Sequence, residues 1–307
     1  MKTPLVSVIV PNYNHARYLE QRLDTVFNQT YQNFEVIILD DKSTDNSLEV
    51  IQRYKDNPHL SQIVVNEQNT GSPFKQWDKG INLAKGELIW IAESDDYCEL
   101  NLLEELVTAY VHQDGTVLAY NTTIVLYDNG YEVNKIHICK NKYISGMQYI
   151  KRYLSLFNWV MNASCAIFSR EAALNANSEY KTYRGAGDYL FWVEIAKQGN
   201  IAIVNKRLSY FCRHDDSVTS RRDNDGTNPI EEKKIYDYIQ SFISISKWRK
   251  RLIYSFHRQR FNHGNYISKE TYNLIANIWE FDRYCSYIDN LIATTARRIR
   301  KYLNIYI

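Results

Sequence analysis

Two adjacent carboxylates, Asp95 and Asp96, come shortly after the apolar run of residues 88–92, with Ser94 directly before them. A buried strand that ends in acidic residues brings negative charge to the carboxyl edge of a sheet, where open α/β folds bind their ligands. Hard divalent cations prefer carboxylate and phosphate oxygens, so the segment predicts metal-assisted nucleotide chemistry. Alternatively, the two acids form a solvated turn or cap the helix predicted over residues 99–112.

Polar segments also follow the first two predicted strands. Pro11 and Tyr13 end the first strand, where proline removes a backbone donor and stops the ladder, and the tyrosine ring could face a base. Asp40 and Asp41 follow the second strand, where a carboxylate can accept from the imide N–H of uracil or from a ribose hydroxyl. The alternatives are a Pro-Asn turn in the first segment and capping of the next helix by residues 43–45 in the second.

Two segments farther along the chain add candidate residues. Residues 184–189 open a predicted helix that begins with Asp188, and residues 210–215 leave a predicted strand and include His214. The Gly185-Ala186-Gly187 sequence is not a dinucleotide fingerprint, because it does not follow the first strand and has no third glycine. An aspartate at a helix N-terminus is stabilised as an anion, so Asp188 could also be a simple N-cap.

The elements that position these residues alternate between strand and helix through the first 126 residues. That alternation predicts a largely parallel sheet with helices on both faces. Predicted strands cover residues 5–10, 34–39, 63–65, 88–92 and 116–126, and a mixed part follows with helices at 145–157 and 188–198 and strands at 165–168 and 201–204. The polar segment 215–228 is the predicted boundary, and residues 229–307 have helical spacing without strand alternation.

Composition limits the possible classes of protein. The 307 residues are 45% hydrophobic and 23% charged, which is typical of a globular protein with a sizeable core. Five cysteines at wide spacing, none in a CxxC pair, indicate neither a disulfide framework nor a zinc knuckle. There is no signal-peptide pattern and no apolar run of the ~20 residues that a bilayer requires, so we expect a cytoplasmic protein.

Charge is distributed unevenly although the net charge is only +2. From Lys247 onward there are twelve Lys and Arg residues against four Asp and Glu. Residues 247–254 and 297–303 combine cations with aromatic and aliphatic residues, which is typical of helices lying on an anionic membrane. A helical bundle packed on the preceding part of the chain or on another subunit is the alternative. No motif of a nucleic-acid-binding protein accompanies the charge, so we expect no nucleic-acid partner.

Taken together and in order, these segments resemble family 2 glycosyltransferases of the GT-A fold. The resemblance covers roughly residues 4–218 and rests on VSVIVPNYN, FEVIILDDKSTDNS, NTG, GELIWIAESDD, GAGDYLFW and the final His214. It implies an α/β GT-A fold, with a mixed, mostly parallel central sheet flanked by helices, and a C-terminal helical extension. Residues 1–228 would form the glycosyltransferase domain, with a nucleotide-sugar half at 1–126 and an acceptor half at 127–228, and residues 229–307 would form the extension.

The resemblance also implies an inverting, metal-dependent transfer of a hexosyl or N-acetylhexosaminyl group from a UDP-sugar. The acceptor would be a saccharide or a lipid-linked saccharide, in the synthesis of a bacterial surface polysaccharide, with possible contact to the inner face of the cytoplasmic membrane. Asp188 matches the position of the catalytic base. Pro11, Tyr13, Asp40, Asp41, Asn69 and Asp95 would bind the donor, and Asp96 and His214 would serve a Mn²⁺ or Mg²⁺ ion.

The chain departs from the family pattern at two places. Many members carry Glu-Asp where this chain has Gly187-Asp188, so the acid before the base is absent. The metal element is Ser-Asp-Asp instead of Asp-x-Asp, which makes Asp96 the principal ligand. A non-catalytic module that binds a nucleotide sugar or a partner is the alternative function. A nucleotidyltransferase or a dehydrogenase would require a glycine-rich loop after the first strand, and this chain has none there.

Overall fold

The computed structural model describes residues 3–127, 130, 132–134, 141–213, 222, 225–262 and 268–281. Within them the strands are β1 (Val6–Asn12), β2 (Phe34–Asp40), β3 (Leu60–Val65), β4 (Leu88–Ile91), β5 (Tyr97–Cys98), β6 (Thr116–Tyr127), β7 (Glu132–Asn134), β8 (Lys142–Ser145), β9 (Ala166–Ser169) and β10 (Asn200–Arg213). They form one mixed sheet in the order β3-β2-β1-β4-β9-β6-β10-β5, with β7 beside β6 and β8 beside β10.

Helices cover both faces of the sheet. They are α1 (Ala16–Phe27), α2 (Ser47–Gln52), α3 (Pro73–Leu83), α4 (Leu102–His112), α5 (Gly146–Tyr149), α6 (Arg170–Leu174), α7 (Gly187–Ala196), α8 (Thr227–Phe242), α9 (Lys247–Asn262) and α10 (Lys269–Ile278). Short 3₁₀ turns at Ala163–Cys165 and Ser178–Thr182 precede β9 and α7. None of the helices in the described ranges is long and apolar enough to cross a bilayer.

The strand sequences dictate this layering. All seven residues of β1 are buried, as expected for a strand with neighbours on both sides and helices on both faces. Because side chains alternate along a strand, Val8 packs with α1 and α4 on one face, while Ile9 packs with α3 and α7 on the other. The strands β1 to β4 are parallel, as are β6 and β10, and β9 joins the two groups by pairing antiparallel with β4 and β6. The predicted α/β fold with a flanked central sheet is therefore confirmed.

Pro11 does not end the first strand, contrary to the sequence-based expectation. β1 continues to Asn12, with Pro11 opposite Leu39 of β2. The pairing of β1 with β4 ends at Ile9, whose carbonyl accepts from the Ala92 N–H at 2.8 Å, whereas the pairing with β2 continues to Asn12. The backbone N–H and C=O groups of successive residues in a strand point to opposite neighbouring strands. The backbone of Pro11, like that of Ile9, therefore points toward β4, and the missing N–H of proline ends the ladder with β4 while the ladder with β2 stays intact. The gap between β1 and β4 therefore opens at the carboxyl edge.

Three other boundaries differ from the sequence pattern. The helix predicted over residues 145–157 is α5 followed by a π-helical turn, Ile150–Leu154. The strand predicted at 201–204 extends to Arg213 as β10, because bulges let it follow β6 parallel over its whole length. Asp188 is not the N-cap of α7, which is Ala186, but lies in the first turn. The short strands β5, β7 and β8 were not predicted.

The C-terminal helices α8, α9 and α10 pack on the part of the chain that carries the sheet. Ile235, Ile239 and Ile253 are buried in the same hydrophobic cluster as Leu190 of α7. Trp279, which follows α10, is fully buried and stacks on Tyr236 with ring centroids 5.8 Å apart. The structure thus confirms a helical C-terminal region and places its described part against α7. The predicted boundary at residue 228 falls in the first turn of α8, and the division into two domains stays a prediction.

Candidate active site

The acidic segment that follows β4 lies close to the start of β9 and to the end of β10. Asp96 is 2% exposed, and its Oδ2 accepts a hydrogen bond from the Asn162 Nδ2 at 2.6 Å. Its Oδ1 accepts from the backbone N–H of Cys212, near the end of β10, at 3.1 Å. Asn162 comes just before the 3₁₀ turn that leads into β9. Asp96 is therefore fixed by segments 66 and 116 residues away in sequence.

Negative charge is concentrated in this segment. Burial, together with the charge of Asp95, raises the pKa of Asp96 to about 7. The same two causes raise the pKa of Glu93 to about 8. The fully buried Arg22 guanidinium lies beneath the segment, with its Nε donating to the Glu93 carbonyl at 2.8 Å, and it partly offsets the repulsion. A cation bound on the side opposite Arg22 would relieve the remaining repulsion between these carboxylates.

The donor set fits a hard divalent cation, because it consists of carboxylate oxygens whose charges repel one another. Within the described ranges, however, no group of three or more His, Cys, Asp or Glu side chains is placed to hold a metal ion. Asp96 and the half-buried Asp95 would contribute only part of a coordination sphere. His214, the other predicted metal residue, lies outside the described residues.

Asp40 and Asp41 lie side by side at the end of β2 but have different surroundings. Asp40 is fully buried and accepts from the Asn12 Nδ2 at 2.8 Å and from the Ser43 N–H at 2.9 Å. These bonds join the segment after β2 to the end of β1. Asp40 thus fixes the relative positions of two of the predicted donor-binding segments.

Asp41 organises the loop that precedes α3. Its Oδ1 accepts from the Asn66 Nδ2 at 2.6 Å, the Gln76 Nε2 at 2.8 Å and the Thr70 N–H at 3.0 Å. Its Oδ2 accepts from the hydroxyl of Thr70 at 2.8 Å and from the same N–H at 3.1 Å. The carboxylate is thus extensively bonded by the protein itself. Its predicted contact with a base or a ribose stays a prediction.

Tyr13 and Asn69 are the exposed members of the predicted donor set. Tyr13 is 45% exposed, so its ring face is open to a planar ligand. The next residue, Asn14, accepts from the Thr44 N–H at 2.7 Å, which ties the loop after β1 to the loop after β2. Asn69 accepts from the N–H of Gly71 at 2.6 Å and shapes the tight turn in which that glycine has φ +66°.

Asp188 presents its carboxylate from the first turn of α7. Its Oδ2 accepts from the Asn158 Nδ2 at 2.8 Å. Burial, with a smaller contribution from the negative charge of Glu232, raises the pKa of Asp188 to about 7. A carboxylate with a pKa near neutrality is suited to take a proton and release it again, since general bases work best with pKa values near the operating pH.

One short segment connects Asp188 with the acidic cluster. Asn158 bonds Asp188 and Asn162 bonds Asp96, and four residues of chain can separate their Cα atoms by at most ~14 Å. The loop after β1 reaches the same cluster, because the His15 Nδ1 lies 2.8 Å from the Ser94 hydroxyl. The predicted base, metal residue and donor segments therefore lie near one another at the carboxyl edge of the sheet.

Sequence reasoning missed Asn158, Asn162, His15 and Arg22. The two asparagines could have been noticed as amides in the polar connection between α5 and β9, but nothing local indicates which acids they bond. Their Oδ1 atoms are buried and have no hydrogen-bond partner among the described residues. Buried amides with a spare acceptor beside two acids are candidates for contact with a ligand hydroxyl.

Comparison with known proteins identifies the family of the chain. The sequence profile described as Glycosyl transferase family 2 matches residues 7–175, more than half of the chain. The chain belongs to glycosyl transferase family 2. The predicted family and the classification as a glycosyltransferase are therefore confirmed.

Among relatives of this family 2 chain, glycosyltransferase GlyG of Streptococcus pneumoniae is 38% identical over 117 residues, which is 38% of each chain. An uncharacterized glycosyltransferase of Haemophilus influenzae is 26% identical over 251 residues, 77% of this chain and 75% of that one. A poly(ribitol-phosphate) beta-glucosyltransferase of Bacillus spizizenii is 36% identical over 94 residues, 30% of this chain and 15% of its own. The first and third alignments thus span far less than two thirds of the relative.

Solved structures of similar fold confirm the GT-A architecture. S. aureus TarS 1–349 in complex with UDP-GlcNAc has a TM-score of 0.69 at 19% identity and covers 92% of this chain and 82% of that chain. The mannosyltransferase PcManGT from Pyrobaculum calidifontis, in complex with GDP-Man and Mn²⁺, has a TM-score of 0.56 at 15% identity and covers 97% and 81%. At such identities the likeness is one of fold.

Proposed function

We propose that this family 2 chain is an inverting, metal-dependent glycosyltransferase that moves a hexosyl or N-acetylhexosaminyl group from a UDP-sugar to a saccharide or lipid-linked saccharide hydroxyl. The observation that carries the proposal is the half-buried Asp188 carboxylate, with a pKa of about 7, joined by the segment of Asn158 and Asn162 to the acidic cluster at Asp96. A base on one side of a cleft and repelling carboxylates on the other suit direct displacement at a phosphorylated sugar carbon.

In the proposed mechanism Asp188 acts as the base. Its carboxylate takes the proton of the acceptor hydroxyl while that oxygen forms a bond to the anomeric carbon of the donor. The bond from the anomeric carbon to the diphosphate oxygen breaks, and its electron pair stays on the leaving nucleoside diphosphate. A single displacement inverts the configuration of the anomeric carbon and needs no covalent enzyme intermediate.

The donor would lie across the carboxyl edge of the sheet. In this proposal the Tyr13 ring stacks on the base beside Pro11, while the segment of Asp40 and Asp41 and the turn at Asn69 hold the nucleoside. Asp95 faces the ribose or the donor sugar. Asp96 would hold Mn²⁺ or Mg²⁺, with His214 as a further candidate, and the bound cation would offset charge on the leaving diphosphate.

The comparisons support the donor class and the setting of this proposal. TarS has been solved with UDP-GlcNAc, and PcManGT with a GDP-sugar and Mn²⁺. One relative acts on poly(ribitol-phosphate), a polymer, which favours a role in surface polysaccharide synthesis. None of these proteins is similar enough over its whole length to assign its donor or acceptor to this chain.

Replacement of the base gives the first test. We expect Asp188→Asn to lower Mn²⁺-dependent transfer or donor hydrolysis by on the order of 10² to 10⁴, because the amide cannot take the proton, while UDP affinity is unchanged. Turnover is measured as released nucleotide on a panel of UDP-glucose, UDP-galactose, their N-acetyl forms and a GDP-sugar.

The matched control for that test is Asp237→Asn, the same chemical change at an exposed side chain of α8. Near-normal turnover in Asp188→Asn would show that the base is assigned wrongly. Nucleotide binding by the wild-type chain without hydrolysis or transfer of any donor would favour the non-catalytic module.

Removal of the metal residue gives the second test. We expect Asp96→Ala to abolish the increase in UDP affinity that Mn²⁺ produces in the wild-type chain, because the main oxygen ligand is lost. Calorimetric titration of UDP with and without Mn²⁺ measures this difference. An equal stimulation by Mn²⁺ in the variant and in the wild-type chain would refute the assignment of Asp96.

Peripheral membrane contact through α9 is the third part of the proposal. Trp248 is 63% exposed and is flanked by Lys247, Lys250 and Arg251, which suits an interface with anionic lipid headgroups. The second basic segment, residues 297–303, lies outside the described residues. The packing of α8 and α10 on the catalytic part is compatible with this contact, since it leaves Trp248 exposed.

Point variants separate the membrane proposal from simple packing. We expect the double variant Lys247→Glu with Trp248→Ala to sediment about tenfold or more less with vesicles containing phosphatidylserine, because it loses an interfacial aromatic residue and reverses one charge. Asp237→Asn should bind the vesicles like the wild-type chain. Equal sedimentation of the double variant and the wild-type chain would remove the membrane contact.

A further inference from the structure

Helix α8 places a carboxylate against the loop that leads into α7. The Glu231 Oε1 accepts from the Arg184 N–H at 2.8 Å. Its Oε2 accepts from the N–H groups of Gly185 at 3.0 Å and Ala186 at 2.8 Å. Three successive backbone donors thus converge on one side chain, 45 to 47 residues away in sequence. Such a concave run of N–H groups is a natural site for an anion.

These three donors belong to the residues just before the base. Ala186 is the N-cap of α7, its side chain makes no capping hydrogen bond, and Asp188 follows two residues later. Charge-assisted hydrogen bonds to a carboxylate are shorter and stronger than bonds between neutral groups. The position of the first turn of α7, and with it the Asp188 side chain, therefore depends on a residue of the C-terminal helices.

The loop has no room for an acid of its own. A Cβ added at Gly187 would lie 2.5 Å from the Tyr180 carbonyl oxygen and 2.6 Å from the ring of Phe74. A Cβ at Gly185 would lie 1.8 Å from the Asn228 Oδ1. The contact of a Gly187 Cβ with the Tyr180 carbonyl is with backbone and closer than real Cβ atoms come, so a glutamate directly before Asp188 would displace the backbone. Glu231 supplies a carboxylate to this loop from a different element.

The adjacent acid of α8 has a separate task. Glu232 is buried and forms two hydrogen bonds with Arg260 of α9, at 2.5 and 2.8 Å, and lies 3.6 Å from the His257 Nδ1. These contacts anchor α8 to α9 behind Asp188. Glu231 is therefore held over the loop by a neighbouring side chain that is itself fixed in the core.

We infer that Glu231 is a positioning residue for sugar transfer, which holds residues 184–186 by three hydrogen bonds and thereby sets the position of the Asp188 base. This inference rests on the proposed function of Asp188. It assigns the C-terminal helices a part in catalysis through a side chain that bonds the backbone before the base. A displacement of about 1 Å in a reacting group can lower a rate by on the order of 10², which sets the expected scale.

The variant Glu231→Gln tests the inference on the full chain. Its amide nitrogen would face N–H donors, so the loop loses part of its anchor with little change in side-chain volume. We expect kcat for donor hydrolysis or transfer to fall about 10- to 100-fold, while the KM for the donor and the affinity for UDP stay within about twofold of wild type. Asp237→Asn on the same helix should leave kcat unchanged.

A double variant separates positioning from a general structural effect. If Glu231 acts through Asp188, adding Glu231→Gln to Asp188→Asn should lower kcat by no more than about twofold further. A full further loss in the double variant, or a fall in UDP affinity with normal kcat in Glu231→Gln, would overturn the inference. If Glu231→Gln does not fold, Glu231→Asp, which is one methylene shorter, replaces it. We expect its kcat to lie between the values of the wild-type chain and Asp188→Asn, with an unchanged KM for the donor. A wild-type kcat in Glu231→Asp would refute the claim.

The outcomes also distinguish this inference from the proposed function. Near-normal turnover in Asp188→Asn would refute the base assignment itself, and the inference with it. Loss of turnover in Asp188→Asn together with wild-type kcat in Glu231→Gln would refute the positioning role alone.

Discussion

A carboxylate taken out of water at the carboxyl edge of a sheet must be compensated by hydrogen bonds, by a cation or by a proton, and this constraint governs the site. Burying an unpaired charge costs several kcal/mol in proteins. Asp41 is compensated by the protein, because the Asn66 and Gln76 amides and the N–H and hydroxyl of Thr70 all donate to its oxygens. Asp96 and Asp188 receive less, and the pKa of each is raised to about 7.

That difference divides structural acids from reactive ones. A fully bonded carboxylate holds loops together and stays ionised without a metal ion. An incompletely compensated one favours a proton or a cation, which is the property required of a base or a metal ligand. The two reactive acids share a support, since Asn158 and Asn162 lie four residues apart and bond one acid each. The short segment between α5 and β9 thereby links the two acids, and Glu231 of α8 holds the loop before the helix that carries the proposed base.

Much of this arrangement could be predicted from the sequence, for physical reasons. The strands β1, β2 and β4 are largely apolar runs followed by polar residues, so both their burial and the position of the acids after β2 and β4 follow from local pattern. The predicted end of β1 was wrong, because proline interrupts only the ladder that would use its N–H. Nothing in the sequence tells which neighbouring strand lies on that side. The predicted length of β10 was too short, because the strand continues through bulges that form only when it pairs with β6. The partners of Asp96 and Asp188, and the contact of Glu231 with residues 184–186, join segments 30 to 116 residues apart, for which one sequence carries no signal.

The pH dependence of donor turnover, compared between the wild-type chain and Asp188→Asn, tests the central claim most directly. The raised pKa of Asp188 means that the base is protonated in acid, so wild-type kcat/KM should rise roughly tenfold per pH unit up to about pH 7 and then level off. The pKa values of Asp96 and Glu93 are raised to about 7 and about 8 as well, so both proteins are compared at saturating Mn²⁺, where a bound cation would keep Asp96 ionised; the residual rate of the variant should then lack this limb. The same limb in Asp188→Asn, or a flat wild-type profile from about pH 5 to about pH 9, would contradict the account.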